Sequence, residues 1–236
     1  MVQDYQYVGE ELELFQHAVR WKSYFRSKIS PYIRGNVLEV GSGIGATTRL
    51  LCDGNQKHWT CLEPDARLAD KMNEWNVRDP LPIPNNLIIG SLINLPESDT
   101  FDSIIYIDVL EHIETDRQEI ERAASHLNPG GALIVLAPAH QWLYTEFDRA
   151  IGHFRRYTAR SLAASAPESL KPERIFYLDS VGMIASMANR FLLKSRMPTL
   201  RQIRLWDSVF VRASAIVDPL FGFRLGKTVV GVWRHA

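Results

Sequence analysis

The chain alternates between short apolar runs and amphipathic stretches. Residues 10–29 (EELELFQHAVRWKSYFRSKI) place Leu12, Phe15, Val19 and Tyr24 at helical spacing, which predicts an N-terminal helix. Residues 36–40 (NVLEV) predict a short strand, followed by glycines and a helix from about Ile44 to Cys52. Residues 58–63 (HWTCLE) predict a second strand, 65–77 a helix, and 86–90 (NLIIG) a third strand. Residues 101–107 (FDSIIYI) predict a fourth, apolar enough for burial on both faces. A helix over 116–127 stops at the turn Asn128-Pro129-Gly130-Gly131, and 132–137 (ALIVLA) form a fifth buried strand. This alternation implies a parallel sheet with right-handed crossovers, an open α/β sandwich.

After Pro138 the alternation breaks. Residues 139–157 read as a long loop, 158–169 as a helix and 173–179 (ERIFYLD) as a sixth strand. Residues 180–217 hold two helical stretches divided by Pro198, and 227–234 (KTVVGVWR) form a last strand. A hairpin closing one sheet edge accommodates the last two strands. One domain results: an N-terminal helical segment (1–34), a core (35–179), a helical cap inserted between strands 6 and 7 (180–226) and the final strand (227–236).

The first cap stretch sets Met183, Ile184, Met187, Phe191 and Leu192 at helical spacing, with Arg190, Lys194 and Arg196 at its end. The second carries Leu205, Trp206, Val209, Phe210 and Ile216. Such stripes either pack on the sheet or lie on an anionic membrane, and flexible methionines suit an apolar acceptor. Trp21, Lys22 and Tyr24 of the N-terminal helix either close over a ligand or buttress the sheet.

The 236 residues carry 27 Lys+Arg and 27 Asp+Glu, with 46% hydrophobic and 10% aromatic residues, which excludes a disordered chain. The zero net charge hides an asymmetry: residues 1–152 sum to −9, 153–180 to +2 and 181–236 to +7. The basic end can meet phosphates, anionic lipid or an acidic partner, or pair with the acidic body. Two cysteines, Cys52 and Cys61, exclude a disulfide framework and a four-cysteine zinc site. The acidic start MVQDYQYVGEELEL lacks a signal-peptide pattern, so the expected location is cytoplasmic, peripheral to a membrane at most.

The strongest motif is Val37-Leu38-Glu39-Val40-Gly41-Ser42-Gly43-Ile44-Gly45, between a strand and a helix. Glycines there let backbone approach a ligand, and the N–H groups beyond them favour a polar or anionic one. Glu63 ends the next strand, where an acid accepts hydrogen bonds from a ribose diol, and Asp108 ends the fourth strand beside the expected crevice. Gly41 to Ala46 also satisfies the G-x-G-x-x-A pattern of nicotinamide enzymes. Glu39 argues against them. Inside a strand a carboxylate needs a partner, and it suits a cationic, amino-acid-bearing ligand better than a pyrophosphate.

LEVGSGIG, the acid in CLEPD, the strand FDSIIYIDVLEHI and the turn LNPGGALIVLAP together resemble the class I S-adenosylmethionine-dependent methyltransferases over roughly residues 35–140. The resemblance implies a Rossmann-like seven-stranded sheet of order 3-2-1-4-5-7-6, its seventh strand antiparallel. It implies that Gly41, Ser42, Gly43 and Gly45 line the methionyl portion of S-adenosylmethionine, with Glu39 orienting it through the loop or water. Glu63 would hold the ribose, beside Pro64 and Asp65; Ser91 and Leu92 would flank adenine; Asp108 would sit near the methionine end. Many members have an acid where this chain has Ser91.

A second constellation lies in residues 140–157, over the crevice. His153 is the first candidate for a base, with His140, His112 and Tyr144 as alternatives, since a hydroxyl acceptor must lose a proton and a neutral amine need not. The structural alternative pairs His153 with Asp148. Arg155 and Arg156 could clamp an anionic group on the acceptor, or pair with Asp148 and Glu146. Tyr144 and Tyr157 could line the acceptor pocket or simply pack. FDRAIGHFRRYT resembles a bacterial subgroup of these methyltransferases.

The expected function is methyl transfer from S-adenosylmethionine to a small-molecule or lipid-linked acceptor, with oxygen or carbon ahead of nitrogen. The alternatives are a non-catalytic cofactor-binding module and a nicotinamide oxidoreductase. No ligand spacing calls for a metal, and no nucleic-acid module is evident.

Overall fold

The structure is a computed structural model, and it describes residues 5–9, 11–188 and 197–236. In chain order the elements are α1 (Glu11–Phe15), α2 (Val19–Ile29), β1 (Asn36–Val40), α3 (Thr48–Leu51), β2 (His58–Glu63), α4 (Ala66–Arg78), β3 (Asn85–Ile89), β4 (Phe101–Ile107) and α5 (Asp116–Ser125). Then follow β5 (Leu127–Pro138), α6 (Glu146–Ala150), α7 (Ala159–Ala163), β6 (Leu170–Leu178), α8 (Ser180–Ala188), α9 (Leu200–Leu205), α10 (Val211–Leu220) and β7 (Thr228–His235). The strands form one seven-stranded sheet in the order β3-β2-β1-β4-β5-β7-β6, with β7 antiparallel to both neighbours.

Side-chain alternation divides the core into two layers. Ile105 of β4 points to one face, among Phe25, Trp59 and Val230. Its neighbours Ile104 and Tyr106 point to the other, among Leu38, Ile120 and Leu133. Because every parallel strand ends at the same edge, the loops after β1, β2, β4 and β5 converge there.

Several boundaries differ from the expected ones, each for a physical reason. The single helix over 10–29 is two helices, because Ala18 leaves helical geometry and Asp207 of the insertion caps α2, accepting from Trp21 N at 2.8 Å and Arg20 N at 3.2 Å. The helix expected from Ile44 is the single turn α3, since left-handed glycines hold residues 41–45 out of helical geometry. The turn at 128–131 does not precede β5 but lies within it, as an irregularity in its pairing with β4. The helix over 158–169 is only α7, and the loop 139–157 contains α6.

The insertion leaves β6 and returns into β7 at the crevice edge. Two buried carboxylates fasten it. Asp218 accepts from the Tyr24 hydroxyl and Asp179 N, both at 2.8 Å, and from Ser180 N at 3.0 Å. Asp179 accepts from the Trp206 indole and the Ser214 hydroxyl, both at 2.7 Å. A wide π-type turn at Trp206–Phe210 turns the adjacent Trp206 and Asp207 both inward and leaves Leu205 and Val209 exposed. The expected stripe of Leu205, Trp206 and Val209 is therefore split between core and surface. Of the other expected cap residues, Arg190, Phe191, Leu192, Lys194 and Arg196 lie outside the described residues.

Asp218→Ala strands four buried donors, Tyr24 Oη on α2, Asp179 N, Ser180 N and Ser180 Oγ, and is expected to destabilise the chain by about 3 kcal/mol. Asp207→Ala removes one helix cap and is expected to cost about 1–2 kcal/mol. Urea unfolding measures both, and a larger loss for Asp207→Ala would contradict this account of the fastening.

Candidate active site

The β1–α3 turn is built for backbone approach. Gly41 adopts φ +70°, and a Cβ there would stand 2.6 Å from Val109. Gly45 is closed by Trp75, whose indole lies 2.5 Å from where a Cβ would be, so this glycine faces α4 rather than the crevice. That corrects its expected place beside a ligand. Gly43 faces Leu12 of α1, and the buried Ser42 hydroxyl has no hydrogen-bond partner.

Glu63 ends β2 beneath this turn. Its carboxylate accepts from Gly43 N at 2.7 Å and Asp65 N at 2.9 Å. Burial pushes it up to about 7. Asp65 caps α4, accepting from Arg67 N at 2.9 Å, and the Arg67 guanidinium holds it down to about 2. Pro64 stands half-buried between them. Glu39 is 2% exposed and finds its strand-interior partner in the Trp59 indole at 2.9 Å, while burial pushes it up to about 7. Ser91 opens the turn after β3, with its N–H on Asn94 Oδ1 at 2.9 Å. Leu92 is 1% exposed and packs in the core, so it offers no open wall to a ligand.

Asp108 follows β4 in the left-handed region, at φ +54°. Its side chain is exposed, yet the protein around it desolvates the carboxyl and pushes it up to about 6. Lys22 and Lys227 face it electrostatically. Burial lowers both amines, Lys22 to about 8.

The 140–157 segment folds around Asp148, which is fully buried. Asp148 accepts from Arg156 Nε at 2.7 Å, Arg156 Nη2 at 2.9 Å and Thr145 N at 2.8 Å. Its Oδ1 also meets His153 Nδ1 at 3.0 Å, and these partners hold the carboxyl well below its usual range despite its burial. The opposite ring nitrogen, His153 Nε2, lies 3.7 Å from Glu111 Oε1. Glu111 is fully buried, and neither carboxylate oxygen has a partner. The His112 ring stands edge-on to His153 at 4.5 Å, and burial lowers it to about 3.

Other expected acceptor-site residues are committed elsewhere. Arg155 pairs with Asp116 at 2.8 Å and Arg156 with Asp148, so neither guanidinium stands as a free anion clamp. Tyr157 is 2% exposed and donates to Asp116 at 2.8 Å, which makes it a packing residue. Tyr144 donates to the His153 carbonyl at 2.6 Å and so supports the loop. His140 stacks on Tyr177 at 5.1 Å.

Residues the sequence did not single out complete the site. Tyr7 and Glu11 cross it from the N-terminal segment: Tyr7 N donates to Asp65 at 2.7 Å, its ring lies 5.4 Å from His112, and its hydroxyl donates to Glu11. Glu111 was hidden beside His112 in VLEHI, and nothing in the local pattern marked Tyr7, Glu11 or Lys227.

A methyltransferase-domain family model matches residues 16–168, and the chain belongs to that family. It is a class I S-adenosylmethionine-dependent methyltransferase, an enzyme whose methyl donor is S-adenosylmethionine. Its fold is that of the N-methyltransferase NodS from Bradyrhizobium japonicum, solved with S-adenosylhomocysteine, at 16% identity and a TM-score of 0.58, covering 93% of this chain and 87% of that one. Coclaurine N-methyltransferase, solved with N-methylheliamine and S-adenosylhomocysteine, matches at 14% identity and 0.62, covering 92% and 72%. The [4+2]-cyclase SpnF matches at 13% and 0.64, covering 97% and 94%. No curated protein matches the chain. The residues present fit the donor: an unpartnered Ser42 hydroxyl in the glycine turn, a carboxylate at Glu63 for a diol, and Asp108 in the cleft.

Glu39 and Glu63 hold their protons more tightly in the folded chain than at their ordinary 4.5. The folded state then binds more protons between about pH 4.5 and 7, so stability falls as pH rises through that window. Glu39→Gln keeps an oxygen for Trp59 and is expected to reduce that fall by up to about 3 kcal/mol, measured by urea unfolding between about pH 5 and pH 8. An unchanged pH slope would show that Glu39 titrates normally.

Proposed function

We propose that the enzyme methylates an acceptor that must lose a proton, a hydroxyl oxygen or an acidic carbon, on a small-molecule or lipid-linked substrate. The observation that carries this is the buried Asp148–His153 pair, with Nε2 turned toward Glu111. A neutral amine acceptor would need no such apparatus. The candidate donor site is Gly41, Ser42 and Gly43, Glu63 with Pro64, Ser91 at the rim, and Asp108.

Bound S-adenosylmethionine supplies an electrophilic methyl carbon on a sulfonium. Glu63 accepts hydrogen bonds from the ribose hydroxyls, and the glycine turn lets backbone meet the methionyl group. Tyr7 and Glu11 lie over the site and limit water access there. The acceptor approaches at Asp108. Its oxygen or carbon bonds to the methyl carbon, the C–S electron pair stays on sulfur, and the acceptor's proton leaves through the cluster centred on His153. Asp148 orients that imidazole.

Glu63→Ala is expected to weaken S-adenosylmethionine binding by roughly tenfold or more by calorimetry. His153→Ala is expected to leave that binding intact and lower kcat by about 10²–10³ with an acidic acceptor. Methyl transfer to amines alone, insensitive to His153→Ala, would overturn the proposed acceptor class.

The insertion's outer surface supports a second element of the proposal: a cytoplasmic enzyme that touches an anionic membrane peripherally. Ile216, Leu220, Phe221 and Leu225 are exposed beside exposed Arg201, Arg204, Arg212 and Arg224. Among the described residues no helix is long and apolar enough to cross a membrane. Flotation with phosphatidylglycerol vesicles is expected to capture the protein. Leu220→Glu with Phe221→Glu should release it, and equal capture by zwitterionic vesicles would count against electrostatic docking.

A further inference from the structure

Glu111 presents a specific chemical problem. It is fully buried, and among the described residues neither carboxylate oxygen has a hydrogen-bond partner. A carboxylate in that position needs a counter-charge or a donor. His153 Nε2 stands 3.7 Å from Oε1, too far for a hydrogen bond. His112 completes a group in which one ligating atom from each of the three residues lies within 4.8 Å of the others.

The histidine is already prepared as a ligand. Asp148 fixes His153 Nδ1 at 3.0 Å, which leaves the lone pair on Nε2 directed at Glu111. Carboxylate–histidine–metal arrangements have this form, the outer carboxylate setting the tautomer and raising ligand basicity. Arg156 and the Thr145 N–H hold Asp148 in turn. Asp108 and Glu11 also face His153 electrostatically, and Glu11 Oε2 is another buried oxygen with no partner. Lys22, Lys227 and Arg156 supply the opposing positive charge nearby.

We propose that Glu111, His112 and His153 form a binding site for one divalent transition-metal ion of the Zn²⁺ or Mn²⁺ class. Two imidazoles and one carboxylate on one face are a ligand set for such ions and leave coordination positions open. Bonds of about 2.0–2.2 Å require the three side chains to close in by less than an ångström or so. The cation answers the Glu111 oxygens, a role that no donor among the described residues fills. An ion held there would acidify a coordinated acceptor hydroxyl, whose proton would pass to water because His153 Nε2 would then be a ligand; in the metal-free chain that nitrogen takes the proton. That last role rests on the proposed acceptor class; the binding site itself does not. Neither the family match nor the spacing of residues in the sequence calls for this metal.

The test uses the whole chain, stripped with EDTA and titrated with Zn²⁺ by calorimetry and with Co²⁺ by visible absorption. One ion per chain is expected. Glu111→Gln, His112→Ala and His153→Ala should each weaken binding by at least about tenfold, and Asp148→Asn by about tenfold through His153 alone. S-adenosylmethionine binding by each variant checks that it is folded, and Glu111→Gln keeps the shape of the side chain it replaces. Absence of stoichiometric uptake by the wild type would overturn the site, as would uptake unchanged by Glu111→Gln and His153→Ala in folded protein. The acceptor class fails separately, if metal-loaded enzyme methylates amines alone.

Discussion

The Asp148 carboxylate is the constraint around which the catalytic end is arranged. It is fully buried and takes donors from a guanidinium, a backbone N–H and an imidazole. Burying that charge is tolerable because the donors are fixed by the same short segment that carries the carboxylate. Thr145 and Asp148 form the N-terminal box of α6, so local helix capping sets the acid. The acid then sets Arg156 and His153. An imidazole on a loop after β5 would otherwise sample several rotamers; here one nitrogen is committed, and the other has one direction.

Strand ends supply a second layer of order. Asp108 after β4, His140 after β5 and Asp179 after β6 all adopt positive φ. Such conformations are costly for residues other than glycine and persist where surrounding contacts impose them. Asp179 is held by Trp206 and Ser214, and His140 by its backbone N–H on Tyr157 and its stacking on Tyr177. The sheet thus turns its chain sharply at three ends of one edge. This lets the 140–157 segment and the insertion both return across the crevice without filling it.

Much of the sheet was legible in the sequence because its signals are local. Apolar runs such as FDSIIYI and ALIVLA can be buried only as inner strands, and the glycines at 41 and 43 mark backbone in the left-handed region. The boundaries that misled depend on distant groups. The break between α1 and α2 is made by Asp207, some 190 residues later in the chain. The split face of 203–217 comes from a π-type turn that shifts helical phase, which periodicity alone does not register. At the site, the Asp148–His153 pair spans five residues and could be read as an alternative for His153, whereas Glu111 becomes notable only once the fold removes every donor around it. For Arg155 and Arg156 the sequence left two readings, an anion clamp or pairing with acids, and the fold takes the second: Arg156 pairs with the nearby Asp148 and Arg155 with the distant Asp116.

The insertion's charge has a consequence for how the acceptor would arrive. Its inner side is joined to α2 and the sheet end by Asp218, Asp207 and Asp179, all buried and all paired. Its outer side carries arginines among exposed apolar residues. The acids of this segment therefore serve attachment, and Arg201, Arg204, Arg212 and Arg224 are left outside. A lipid surface held by that outer side would lie next to the edge where the strands end, because the insertion both leaves and re-enters the sheet there. A lipid-linked acceptor could then reach Asp108 without leaving the membrane's neighbourhood. An uncharged soluble acceptor would gain nothing from the basic face. The two acceptor sources are thus separated by whether vesicles accelerate methyl transfer, not by the geometry of the transfer itself.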